Sequence, residues 1–136
     1  MNFYDVQREH PEIWQGTSII MDAVVTSGID NSYTRAEREM IFAYISEDNG
    51  CAFCAKHHKD LAYDLGFDDS FTKENYADTP AKQKNVSYIA AAANFMNQIV
   101  IDFGVTQIND KDIMLRETPV RNRGYKVKNR YMKGKD

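Results

Sequence analysis

The stretch Cys51-Ala52-Phe53-Cys54-Ala55-Lys56-His57-His58 carries two thiols three residues apart and an imidazole four residues after the second, introduced by Asn49-Gly50. On a helix Cys51, Cys54 and His58 stand at i, i+3 and i+7, the spacing of one continuous face. A thiol becomes a nucleophile only as thiolate, and a helix N-terminus or a neighbouring imidazole is a common means of favouring that form. The stretch offers both. Asn49-Gly50 reads as a turn into a helix start, which sets Cys51 in the first turn beside unpaired N–H groups. His58 lies one turn beyond Cys54, in reach of its proton. A pair at this spacing can also close a disulfide once one sulfur is oxidised, the attack-then-resolve chemistry of dithiols.

Glu39 precedes Cys51 with eleven residues between them, and it falls in the second turn of a predicted helix among apolar neighbours. A buried carboxylate there could pass protons; the plain alternative is a surface carboxylate like Glu37 or Glu47. For the cysteines the plain alternatives are two inert buried thiols or half of a zinc site. Structural zinc takes four ligands; Cys51, Cys54 and His58 supply three, and the fourth would be Glu39, His57 or a residue of another chain. We expect no metal and no cofactor. His57, about 100° round the helix from His58, is read as solvent-exposed. His10 is read as a helix-entry residue, and Trp14 and the phenylalanines as core.

Taken together, Glu39, eleven residues, then Cys51-x-x-Cys54-x-x-x-His58 resembles the motif of the alkyl hydroperoxidase D-like, or carboxymuconolactone decarboxylase-like, family in its peroxidase branch. Phe3-Tyr4-Asp5-Val6 through His10-Pro11-Glu12-Ile13-Trp14 is similar to that family's opening helices, and Phe95 through Val105 to its last helix, so roughly the first hundred residues are covered. Two departures stand out. Phe53 occupies the position where the best-known members place a further histidine, and the chain passes from motif helix to last helix in about fifteen residues, as in a shortened member. The resemblance implies a thiol-dependent peroxidase or disulfide oxidoreductase with Cys51, Cys54, His58 and Glu39 as catalytic residues, Cys54 attacking and Cys51 resolving. Helix-terminus logic alone favours Cys51 as the attacker. The implied partners are a hydroperoxide substrate, a dithiol or thioredoxin-like reductant, and further copies of the chain.

The elements that must hold these residues are helical. Residues 3–9 fit a short helix, and Pro11 suits the first turn of a second one running to about Ser27, with Gly28 as its stop. This pair is expected to pack over the motif helix. Thr34-Arg35-Ala36-Glu37 reads as a capping box opening a helix that carries Met40, Ile41, Ala43, Tyr44 and Ile45 and ends near Gly50. The motif helix runs from about Cys51 to Leu65, closed by Gly66. Asp68 to Asp78 is an acidic, irregular connection, and Thr79-Pro80 starts a long helix reaching Phe103, ended by Gly104. Its run Ala90-Ala91-Ala92-Ala93 invites close packing of a helix or a subunit. A turn or two of helix is expected around Asp110 to Leu115.

With 136 residues the chain makes one domain of ordinary size, and 43% hydrophobic with 27% charged residues is the balance of a water-soluble globular protein. No run approaches eighteen apolar residues, and Asp5 and Glu9 spoil a signal pattern, so a cytoplasmic location without membrane contact is expected. From Arg116 to Asp136 there are eight basic and two acidic residues, against nine basic and eighteen acidic before it, so tail and body should attract one another. The body is acidic, no aromatic-basic stacking motif accompanies the tail, and no glycine-rich phosphate loop appears, which argues against nucleic acid and nucleotide partners.

The expected architecture is all-α: an antiparallel helical bundle of the alkyl hydroperoxidase D-like type, about five helices, as a domain over residues 1–105. Residues 106–136 form a basic C-terminal extension expected to wrap a neighbouring subunit of a homo-oligomer. The function alternatives are a non-catalytic oligomeric binding or stress-response module that keeps the motif, and the zinc site. Decarboxylation of a lactone, as in the family's namesake, is a weaker third, since that branch does not depend on this cysteine pair.

Overall fold

A computed structural model describes residues 3–105, and every regular element in it is helical. The tail 106–136 and the helical turn expected at 110–115 lie outside the described residues. Helix α1 is Phe3–Glu9, α2 is Pro11–Met21 and continues into a five-residue π-helical segment, Asp22–Thr26; α3 is Arg35–Asp48, α4 Ala52–Asp64 and α5 Pro80–Asp102. No helix among the described residues is long and apolar enough to cross a membrane.

The caps fall where side-chain chemistry puts them. Thr34 accepts from the Glu37 N–H at 3.2 Å while the Glu37 carboxylate accepts from the Thr34 N–H at 2.8 Å, a complete capping box at the start of α3 and worth about 1 kcal/mol. Thr79 caps α5 ahead of Pro80 through its side chain alone, its hydroxyl oxygen accepting from the Lys82 N–H at 3.2 Å. The expected single helix from Pro11 to Ser27 is instead α-helical only to Met21. The N–H of Ser27 reaches back five residues to the Asp22 carbonyl, so the last turn is wider than an α turn.

Arg38 explains how the chain leaves that wide turn. Its guanidinium is buried at 5% exposure and donates to three backbone carbonyls, Val25, Thr26 and Tyr33, gathering both ends of the 27–34 connection onto α3. Gly28 takes φ +78° beside it, and a Cβ there would stand 2.6 Å from Arg38 Nη1.

Helix α3 is the centre of the molecule. Ala36, Arg38, Glu39, Met40, Ile41, Phe42, Ala43 and Ser46 are all buried, so it is enclosed on most sides rather than on one stripe. It packs along α4 on one side and against α5 and the π segment on others. The opening helices therefore do not lie over the motif helix as expected: α2 docks on α5, and the π segment on α3 and α5. Pro11 and Gly28 fix where these helices begin and end, but not which neighbour receives their apolar side. The 65–79 connection is irregular, yet its Phe67, Phe71 and Tyr76 pack on one another and on Tyr33 and Tyr44. Phe95, expected in the core, is 50% exposed.

Candidate active site

The C-terminus of α3 and the N-terminus of α4 are one continuous piece of hydrogen bonding. Asn49 is the C-cap, Gly50 follows with φ +77°, the Gly50 N–H donates to Glu47 O at 3.0 Å and the Cys51 N–H to Ser46 O at 2.9 Å. That pair of bonds is a Schellman motif. Cys51 closes it and, with no residue between, becomes the N-cap of α4, its Sγ accepting from the Cys54 N–H at 3.4 Å.

This tight hairpin fixes the register of the site. In two antiparallel helices, residues equidistant from the turn face each other: Ser46 is level with Cys51, and seven residues, about 10.5 Å, further along each axis stand Glu39 and His58. The spacing of eleven residues between Glu39 and Cys51 is thus two turns of α3 plus the turn itself. Glu39 is fully buried and its Oε1 lies 2.8 Å from Nδ1 of His58, itself 4% exposed. Its Oε2 accepts from Nη2 of Arg35, one turn earlier on α3, at 3.3 Å. With the guanidinium on one oxygen, the other is placed to accept a hydrogen bond from the Nδ1–H of His58. That fixes the tautomer in which Nε2 exchanges the proton. The ring of Phe42 lies 3.9 Å from the His58 ring, centroid to centroid, and holds its plane.

Cys51 and Cys54 are joined by a disulfide with Cα atoms 5.4 Å apart, and each is 3% exposed. Cys54 and His58 both lie on the buried face of α4, one turn apart. The four residues singled out from sequence therefore converge on the α3–α4 seam. Among the described residues no group of three or more His, Cys, Asp or Glu side chains is placed to hold a metal ion.

His57 differs from expectation. It is half-buried rather than exposed, its ring parallel to Phe53 and edge-on to His58 at 5.3 Å. Burial first, then the neighbouring His58, pushes it down to about 4. The aromatic Phe53 one turn earlier supplies the cover, and an i, i+4 aromatic pair was the signal for it. Arg35 and Phe42 are the site residues that motif reasoning passed over. Arg35 was legible as the i−4 partner of Glu39, whereas Phe42 gave no sign distinguishing it from other core residues. Comparison with family models, with characterised proteins and with solved structures returns no match to this chain.

Proposed function

We propose that the chain is a thiol-dependent peroxidase or disulfide oxidoreductase working through Cys51 and Cys54. One observation carries the reading: a bonded cysteine pair at a helix start, with a buried Glu39–His58 hydrogen bond one turn behind it. The motif resemblance to the alkyl hydroperoxidase D-like family supports it.

In the reduced protein, Nε2 of His58 accepts the Cys54 thiol proton while Glu39 holds Nδ1. The Cys54 thiolate attacks the terminal oxygen of a hydroperoxide; the S–O bond forms, the O–O bond breaks, and the leaving alkoxide takes the proton from His58 and departs as an alcohol. The Cys51 sulfur then gives up its thiol proton and displaces hydroxide from the Cys54 sulfenic acid; the S–S bond forms, the S–O bond breaks, and the hydroxide takes the Cys51 proton and leaves as water. An external dithiol returns two electrons and two protons and is itself oxidised.

Burial of both cysteines favours a second reading, a non-catalytic module whose disulfide is structural. Intact mass separates the two. Reduced protein treated with one equivalent of an organic hydroperoxide in the presence of a chelator should lose two hydrogens, and Cys51→Ser or Cys54→Ser should abolish that loss. An unchanged mass would leave the module reading standing.

A further inference from the structure

Asn97 is a side-chain amide at 2% exposure on the inner face of α5, between Ala93 and Val100, both buried. A buried amide costs stability unless its bonds are made, and Asn97 makes them to one place. Its Nδ2 donates to Ser46 Oγ at 3.0 Å, and its Oδ1 accepts from Asn49 Nδ2 at 3.0 Å. The same Asn49 nitrogen donates to Asn94 Oδ1, one turn earlier on α5, at 2.7 Å. Ser46 and Asn49 are the residues that frame the turn into α4: the Ser46 carbonyl holds the Cys51 N–H, and Asn49 is the C-cap. Two asparagines of α5 thus grip both ends of the turn that delivers Cys51.

We infer that Asn97 and Asn94 are positioning residues for the cysteine pair, acting through Ser46 and Asn49 to hold Cys51 opposite Cys54. The inference rests on the redox reading of the pair. Closing the disulfide turns two thiols into one S–S bond, with two electrons and two protons passed to an oxidant. How readily it closes depends on how closely Cys51 is kept at Cys54 while both are reduced. In the closed, disulfide-bonded form the Cys51 sulfur also accepts from the Cys54 N–H at 3.4 Å. A slack turn would let Cys51 wander, and closure would lose that advantage.

The test is the equilibrium of the whole chain with reduced and oxidised dithiothreitol, read by alkylation and mass. Asn49→Ala removes both of its own bonds to α5 from an exposed position whose backbone is right-handed, so it leaves the packed core unchanged. Asn97→Leu is the second variant. We expect Asn49→Ala to weaken closure about three- to tenfold, tenfold corresponding to about 30 mV for a two-electron couple. Denaturant unfolding should then show the oxidised form losing more stability than the reduced form, by the same factor. An unchanged equilibrium constant, with both redox forms losing stability equally or not at all, overturns the inference and leaves a structural latch. A wild-type pair that exchanges with dithiothreitol yet ignores hydroperoxide sinks the peroxidase reading alone. A wild-type pair that dithiothreitol cannot open sinks both.

Discussion

Glu39 and His58 are nineteen positions apart in the chain and 2.8 Å apart in the fold, and the carboxylate that makes this bond is fully buried. A buried carboxylate between a guanidinium and an imidazole holds the ring in one tautomer and stabilises the imidazolium that forms when it takes a proton. Glu39→Gln keeps the shape and an accepting oxygen but removes the charge. Hydroperoxide-driven oxidation of the thiols is expected to slow on the order of 100-fold, with helix content unchanged by circular dichroism. Oxidation at the wild-type rate would make Glu39 a structural ion-pair residue only.

Arg38 and Gly28 form the second test, one of stability rather than chemistry. Arg38→Met leaves three carbonyls, those of Val25, Thr26 and Tyr33, without their donor. A loss of about 3 kcal/mol is expected in urea unfolding. Gly28→Ala combines a left-handed backbone with a Cβ pressed on the guanidinium, and should cost at least about 1 kcal/mol. If both variants unfold at the wild-type midpoint, the clamp does not hold the 27–34 connection.

Local signals carried much of the sequence reading. Thr34, Pro11, Thr79 with Pro80, and the glycines at 28, 50, 66 and 104 each act within one turn of chain, and the helices begin and end beside them. The register of Glu39 with His58 was also within reach, because a turn of fixed length between two helices converts spacing into facing. What stayed hidden depends on distant neighbours. The π segment ends where Arg38 binds the Val25 and Thr26 carbonyls, and nothing in the run Asp22 to Thr26 announces that. The docking of α2 on α5, and of the π segment on α3 and α5, is a choice among apolar partners of similar composition. Asn97 looks like any polar residue of a long helix until the α3–α4 turn is placed beneath it.

His57 gives a prediction in pH. Its folded pKa, pushed down to about 4, lies below the ordinary 6.5. Between about pH 6.5 and 4 the unfolded chain therefore binds a proton that the folded chain refuses, and stability falls as pH drops through that window. Below about pH 4 this contribution is constant. His57→Gln should flatten the decline by as much as about 1.4 kcal/mol per pH unit. Urea midpoints at several pH values report it, and parallel profiles for variant and wild type would refute the assignment to His57.

Ile20 of α2 and Tyr88 and Phe95 of α5 are each about half exposed and line one apolar groove with Met21, Val24 and Ala91. If the expected self-association uses this face, Phe95→Glu should shift the chain to monomer in sedimentation while leaving thiol exchange with dithiothreitol intact. Persistence of the oligomer would move the interface elsewhere; a wild-type monomer would remove it.

The two cysteines are inequivalent, and their roles can be read apart. Cys51 sits at the N-cap, where its sulfur meets the Cys54 N–H, while Cys54 has His58 one turn on and the Glu39 carboxylate behind that ring. A proton acceptor suits the attacking sulfur, and a helix N-terminus stabilises a thiolate that waits to resolve. Cys51→Ser is therefore expected to trap a sulfenic acid on Cys54, gaining one oxygen by mass and reacting with a dimedone probe. Cys54→Ser should trap little, slower by about 10-fold or more, because Cys51 lacks the imidazole at i+4. The reverse pattern, with sulfenic acid only where Cys51 survives, would assign the attack to Cys51 and make the helix terminus, rather than the Glu39–His58 pair, the source of reactivity.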